Sequence, residues 1–178
     1  RRVDGKSVLN DDGKHREFEN GEIDANASIL AQRKDPDHYP ELAWLGDTFE
    51  KIRIYREWSF GRNSITRIPQ MADQPNARLA PDACNLGLVL NRLRREPAAK
   101  ERFLDALRNL YDGIDDFDLQ IEGGAVQVFI QESGHAVPAT RLSDGTLRYL
   151  SLLAILCHPD PGPLICIEEP ELGMHPDI

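Results

Sequence analysis

Residues 164–171 read Leu-Ile-Cys-Ile-Glu-Glu-Pro-Glu, an apolar run that stops abruptly on two adjacent carboxylates and a proline. A continuous apolar run of this length is the pattern of a strand buried on both faces of a sheet. In open α/β sheets, ligands collect outside the carboxyl ends of such strands, where Glu168 and Glu169 stand. Two adjacent carboxylates suit a metal–nucleotide site, one holding Mg²⁺ directly or through water and the other polarising an attacking water. A solvated acidic loop would carry the same letters. One helix upstream, residues 142–148 read LSDGTLR, with Ser143, Asp144, Gly145 and Thr146 at the predicted helix start. Free N–H groups and the positive dipole end make that position an anion site. A plain helix capped by Ser143 or Asp144 explains the same residues. An apolar helix over 146–157 and the breaker string 158–163 join the two stretches.

Outward from there, turn chemistry sets the organisation. Asp4-Gly5 and Asn20-Gly21 are hairpin dipeptides, so the first residues read as a β meander. Pro40 opens a helix with Leu42, Leu45 and Phe49 on one face, and 51–56 alternates as a strand. Three prolines and no sustained period make 59–81 a mobile loop or arm. Asp82 caps a helix carrying Leu86, Val89, Leu90 and Leu93, and Pro97 starts another with Phe103, Leu104, Leu107 and Leu110. Gly123-Gly124 joins strands at 119–122 and 125–132, with a third at 136–140. The expected division is 1–58 (meander, helix and strand), 59–81 (flexible loop or arm), 82–140 (helical and hairpin lobe) and 141–178. The last part holds the polar turn, its helix and the acidic strand. The fold class is α/β, with an α+β lobe inserted before 142–148.

Composition bounds the function. The chain has 178 residues, 40% hydrophobic and 29% charged, with a net charge of −9. That length suits one domain with an appendage. The acidic balance argues against a protein that coats nucleic acid over its whole surface. No apolar run reaches the roughly 20 residues of a membrane span, and no signal peptide opens the sequence. Cys84, Cys157 and Cys166 are odd in number and lack CxxC spacing, which points away from disulfides and zinc. A cytoplasmic protein is expected. The first residue is Arg1 and the last is Ile178, so a piece of something longer is also expected.

Taken together, LSDGTLR (142–148), ICIEEPE (165–171) and GMHP (173–176) resemble the ABC-type ATPases of the RecF, SMC and OLD-like group. FEKIRIYREWSFGRN (49–63) and CNLGLVLNRL (84–93) are similar to the AAA-type RecF-like proteins. The resemblance implies a partial ABC-type P-loop NTPase head, with ATP and Mg²⁺ as cofactors. It implies Glu168 as the Mg²⁺-associated carboxylate, although the family usually has aspartate there, and Glu169 as the catalytic glutamate. It implies that Ser143, Asp144, Gly145 and Thr146 form the signature that meets a nucleotide held by the partner of a homodimer. Residues 171–176 would lie in the D-loop region. DNA is an allowed partner, in repair, chromosome handling or defence, and a membrane is not.

An ATPase of this kind needs a G-x-x-x-x-G-K-[ST] loop, and the sequence contains none. Gly5-Lys6-Ser7 is a fragment of one, but 10–13 would break the helix that must follow. The P-loop is therefore expected upstream, the switch histidine downstream, and this chain alone is expected to be inactive. Two other function classes fit the residues. One is a non-hydrolysing, nucleotide-gated interaction module or degenerate ATPase, suggested by Glu168. The other is a metal-dependent hydrolase on Glu168, Glu169 and Glu171. Glu171 with His175 as metal ligands would require a helix that Gly173 and Pro176 disfavour. Arg92, Arg94 and Arg95 read as a solvated helix end.

Overall fold

Short strands account for the first part of the computed structural model. It describes residues 2–3, 6–11, 14–18, 24, 26–32, 35–110 and 113–174. Two compact units divide the chain, residues 1–52 and 53–178. In the first, β1 (Arg2–Val3), β2 (Lys6–Asp11) and β3 (Lys14–Phe18) form an antiparallel sheet in that order. Val3 opposes Lys6 and Asp11 opposes Lys14, so the connections are two residues long. Lys6 and Ser7 therefore open a strand rather than a helix, as the rejection of a P-loop there requires. Asp4-Gly5, Asn20-Gly21, His175 and Pro176 lie outside the described residues.

After a short turn of helix α1 (Ile29–Gln32), helix α2 (Pro40–Glu50) begins at its proline as expected, but its buried line differs. Ala43 and Gly46 are buried, Leu42 and Leu45 are half-buried, and Phe49 is exposed. The small residues lie where the helix packs, and the large ones flank them.

The second unit opens with β4 (Arg53–Tyr55), which pairs in parallel with the last strand, β9 (Ile165–Ile167). Everything between them forms a mixed helix and strand layer. Strand β5 (Gln70–Met71), helices α3 (Leu86–Leu93) and α4 (Pro97–Arg108), and strands β6 (Ile114–Glu122), β7 (Ala125–Glu132) and β8 (His135–Pro138) come before helix α5 (Asp144–Leu156). Strand β7 is central: β6 runs along one edge, while β5 and β8 share opposite ends of the other. Gly123 and Gly124 turn β6 into β7 at φ +56° and +78°, which only glycine adopts without strain. Helix α3 lies so close to this sheet that a Cβ at Gly87 would stand 3.1 Å from Val126.

The segment 59–81, expected as a mobile arm, has little regular structure yet is tied down. Ser64, Thr66, Gln70 and Leu79 are buried, and the Gly87 N–H donates to Gln70 Oε1 at 2.7 Å. Asp82 does not cap α3. It accepts the Cys84 N–H, and Asn85 takes the cap position while its side chain bonds Ala80, Pro75 and Arg78 backbone. His158 meets the Ala77 and Asp160 carbonyls.

The apolar strand also departs from expectation. Ile165 and Ile167 pack on the core, but Cys166 is exposed, as are Ile54 beside it and Leu164 before it. Only one face of the β4–β9 pair is covered among the described residues. The covered face joins a core in which Phe103, Leu86, Leu90, Leu107, Ile130 and Leu150 are fully buried.

Phe103 meets Phe117 edge-on with ring centroids 5.0 Å apart, linking α4 to β6. Phe103→Ala should lower unfolding free energy by about 3–5 kcal/mol. Urea denaturation followed by tryptophan fluorescence would measure this. A shift below about 1 kcal/mol would show that Phe103 is not in the core.

Candidate functional site

The turn before α5 is built as a cap. Ser143 takes the N-cap position with extended backbone, and its Oγ accepts the Thr146 N–H at 3.0 Å. The two hydroxyls of Ser143 and Thr146 lie 2.8 Å apart. Ser143 is exposed, so its hydroxyl faces the outside of the unit while it caps.

Asp144 points the other way. Its carboxylate takes Arg67 Nη2 at 2.5 Å through Oδ1 and the Gly61 N–H at 3.0 Å through Oδ2. Arg67 also donates to the Leu142 and Gly61 carbonyls. The hydrogen bond from Arg67, followed by that from Gly61, holds the Asp144 carboxyl below the usual carboxylate range. Asp144 thus fastens loop 59–67 to the turn before α5.

Gly145 has a different constraint. A Cβ there would stand 2.7 Å from the Gly173 carbonyl oxygen, so no side chain fits. Gly173 is itself at φ +80°, and its own Cβ would stand 2.7 Å from the Phe60 ring. Phe60, Gly173 and Gly145 therefore stack as three layers without space for a methyl group. This contact brings the turn before α5 against the segment that follows the two carboxylates.

The carboxylates occupy the expected strand end. Glu168 extends the β4–β9 ladder by one bond, its N–H donating to the Tyr55 carbonyl at 2.9 Å. Glu169 leaves the ladder at φ +48°, the left-handed region. The Leu172 N–H then donates to the Glu169 carbonyl, and the Met174 N–H to that of Glu171, closing a compact turn. Both glutamates are exposed, as is Glu171. Among the described residues no group of three or more His, Cys, Asp or Glu side chains gathers as a metal cage. The hydrolase built on Glu168, Glu169 and Glu171 gains no further ligand there.

Sequence reasoning missed the residue that joins these parts. Arg148, on α5, is only 4% exposed and donates to the carbonyls of Glu168, Glu169 and Pro170. Its guanidinium carbon lies 3.3 Å from the Trp58 ring centroid, and the indole Nε1 donates to the Glu168 carbonyl at 3.2 Å. Burial pushes the Arg148 pKa down to about 10, while Glu171 and Glu169 oppose the shift, so the group is cationic at neutral pH. The signal for it was a lone arginine inside an otherwise apolar helix.

The kind of protein is shown by sequence kinship, to a P-loop NTPase-type family of AAA domains. Residues 47–178 match the family described as "AAA domain, putative AbiEii toxin, Type IV TA system", and the chain belongs to this family. The family is of the kind that uses ATP and Mg²⁺. No curated protein and no solved structure matches the chain. No helix among the described residues is long and apolar enough to cross a membrane.

The Asp144 lock gives a pH dependence with a definite sign. A depressed folded-state pKa contributes stability that is complete above the ordinary value of 3.8 and is lost as pH falls through the lower folded value. Asp144→Asn should remove that contribution and flatten the acid limb below about pH 4. Urea midpoints measured between about pH 2 and 7 would show it. Identical acid limbs in the two proteins would mean that the Arg67 pair contributes nothing.

Proposed function

We propose that this chain supplies the signature and acidic-strand parts of an ABC-class ATPase of the RecF/SMC-like, OLD-related kind. In this reading ATP is bound between two protomers of a homodimer and hydrolysed to ADP and phosphate. Its place is as a switch in DNA metabolism or defence, with DNA as an allowed partner. The observation that carries the reading is the Gly145–Gly173 contact, which packs the signature turn on the acidic turn with no side chain between them. The family membership of residues 47–178 supports it independently.

The residues present fit Mg²⁺ and nucleotide by their chemistry. Two exposed carboxylates end the strand, and hydroxyls stand at an exposed helix N-terminus. Glu168 would hold Mg²⁺ directly or through water, and one methylene beyond aspartate gives it the longer reach. When bound, the metal supplies charge neutralisation on the phosphates. Glu169 Oε orients the attacking water and takes its proton. Ser143 and Thr146 offer hydroxyls, and the first turn of α5 its N–H groups, to a phosphate brought by the partner protomer. Asp144 does not touch phosphate in this reading; its carboxylate is occupied by Arg67 and Gly61. The P-loop is supplied from outside these 178 residues, so this chain alone turns over no ATP. A non-hydrolysing, nucleotide-gated module is the second reading, favoured by glutamate rather than aspartate at position 168.

In the full-length protein, Glu169→Gln should leave ATP binding intact and slow turnover about 10²- to 10⁴-fold. Phosphate release measured beside equilibrium nucleotide binding decides it. Unchanged turnover would move the water-activating role elsewhere, and absent turnover in the parent would favour the second reading.

Ser143→Arg separates the cap from the trans contact. Loss of the cap alone should cost about 1 kcal/mol and leave ATP-driven association untouched. A phosphate contact across a dimer should instead be blocked by the bulky cation, with ATP binding to the subunit's own P-loop spared. Light scattering of the full-length variant with and without ATP distinguishes the two. Dimerisation that survives would leave Ser143 as an ordinary cap.

A further inference from the structure

Glu169 has a backbone that its own sequence does not favour. A non-glycine residue at φ +48° is in the left-handed region. The following residue is Pro170, and a residue before proline prefers extended or polyproline conformations. The turn is exposed, so the core does not impose this conformation. The Leu172 N–H on the Glu169 carbonyl is one restraint, and further bonds must support it.

Arg148 is the group in position to do so. Its Nη2 donates to the carbonyls of Glu168 and Glu169 and its Nε to that of Pro170, spanning the two peptide units on either side of the Glu169 Cα. Trp58 backs the guanidinium with its ring and adds a second donor on the Glu168 carbonyl. One donor, Arg148 Nη1, is buried with no partner among the described residues.

We propose that Arg148 is a positioning residue for Glu169, with Trp58 as its support, fixing the main chain from which the water-activating carboxylate hangs. The inference rests on the reading of Glu169 given above. Because Arg148 lies five residues after Ser143 on the same helix, it also ties the position of that carboxylate to the helix whose N-terminus carries the signature. A guanidinium reaches three carbonyls with a planar fork, whereas an ammonium is a single point charge on a flexible stem.

The test is steady-state ATP turnover and equilibrium ATP binding in the full-length protein. Arg148→Lys should lower kcat about 10- to 100-fold, the penalty for a catalytic group displaced by about 1 Å. KM for ATP should stay within about a factor of two. Trp58→Phe keeps a ring under the guanidinium but deletes the Nε1 donor, and should show the same split with a smaller kcat loss. It decides the matter if Arg148→Lys fails to fold. Arg148→Lys in a Glu169→Gln background should cause no further loss, because its effect passes through the carboxylate. Wild-type kcat in the folded lysine variant, a KM change that accounts for the whole effect, or additive losses in the double variant would each overturn the proposal. Wild-type turnover in Glu169→Gln alone would sink the reading of Glu169 itself, a failure seen in a different variant.

Discussion

A cation buried in the middle of an apolar helix must find partners or unfold the structure around it. Arg148 meets that demand by stacking on Trp58 and by taking three consecutive main-chain carbonyls. Much of the second unit's end follows from this one requirement. Trp58 lies just past β4, which runs parallel to β9 and so brings the indole beside the carbonyls of 168–170. The buried charge, together with the Gly145–Gly173 contact, connects the helix α5 layer to the strand end where the carboxylates stand.

Close approach of backbone is the second constraint. At the Phe60–Gly173–Gly145 stack, each glycine is needed for space, and Gly173 also for its positive φ. The Asp144–Arg67 pair pulls in the same direction by fastening loop 59–67 over the turn before α5. Partly exposed ion pairs contribute little energy, so the value of this one is geometric. It sets where Phe60 and Gly61 lie. A hydroxyl at Ser143 and a carboxylate at Glu169 are presented by one packed cluster rather than by two independent loops.

Local rules made a good part of this legible. Pro40 and Pro97 marked helix starts, Gly123-Gly124 marked a hairpin, and Ser143 marked the cap of α5, because each acts within a turn or two of itself. The AAA kinship was legible too, from motifs whose order and spacing are fixed. What could not be read were contacts between distant positions. Arg67 with Asp144 and Trp58 with Glu168 are separated by 77 and 110 residues. Nor can an apolar run declare how many of its faces are covered, which is why Cys166 was expected inside and lies outside. Loop 59–81 illustrates a related point. Prolines and polar residues remove regular structure, but Gln70 and Asn85 supply the hydrogen bonds that hold an irregular chain in place.

The left-handed backbone at Glu169 has an evolutionary consequence. Glycine is the residue that this φ favours, yet glycine there would delete the carboxylate. Selection for thermal resistance alone would therefore favour losing the acid, and under the role proposed for Glu169 selection for turnover would retain it against that gradient. In that reading position 169 is where fitness for folding and fitness for chemistry separate, so improved variants from a heat-based screen need to be checked there first.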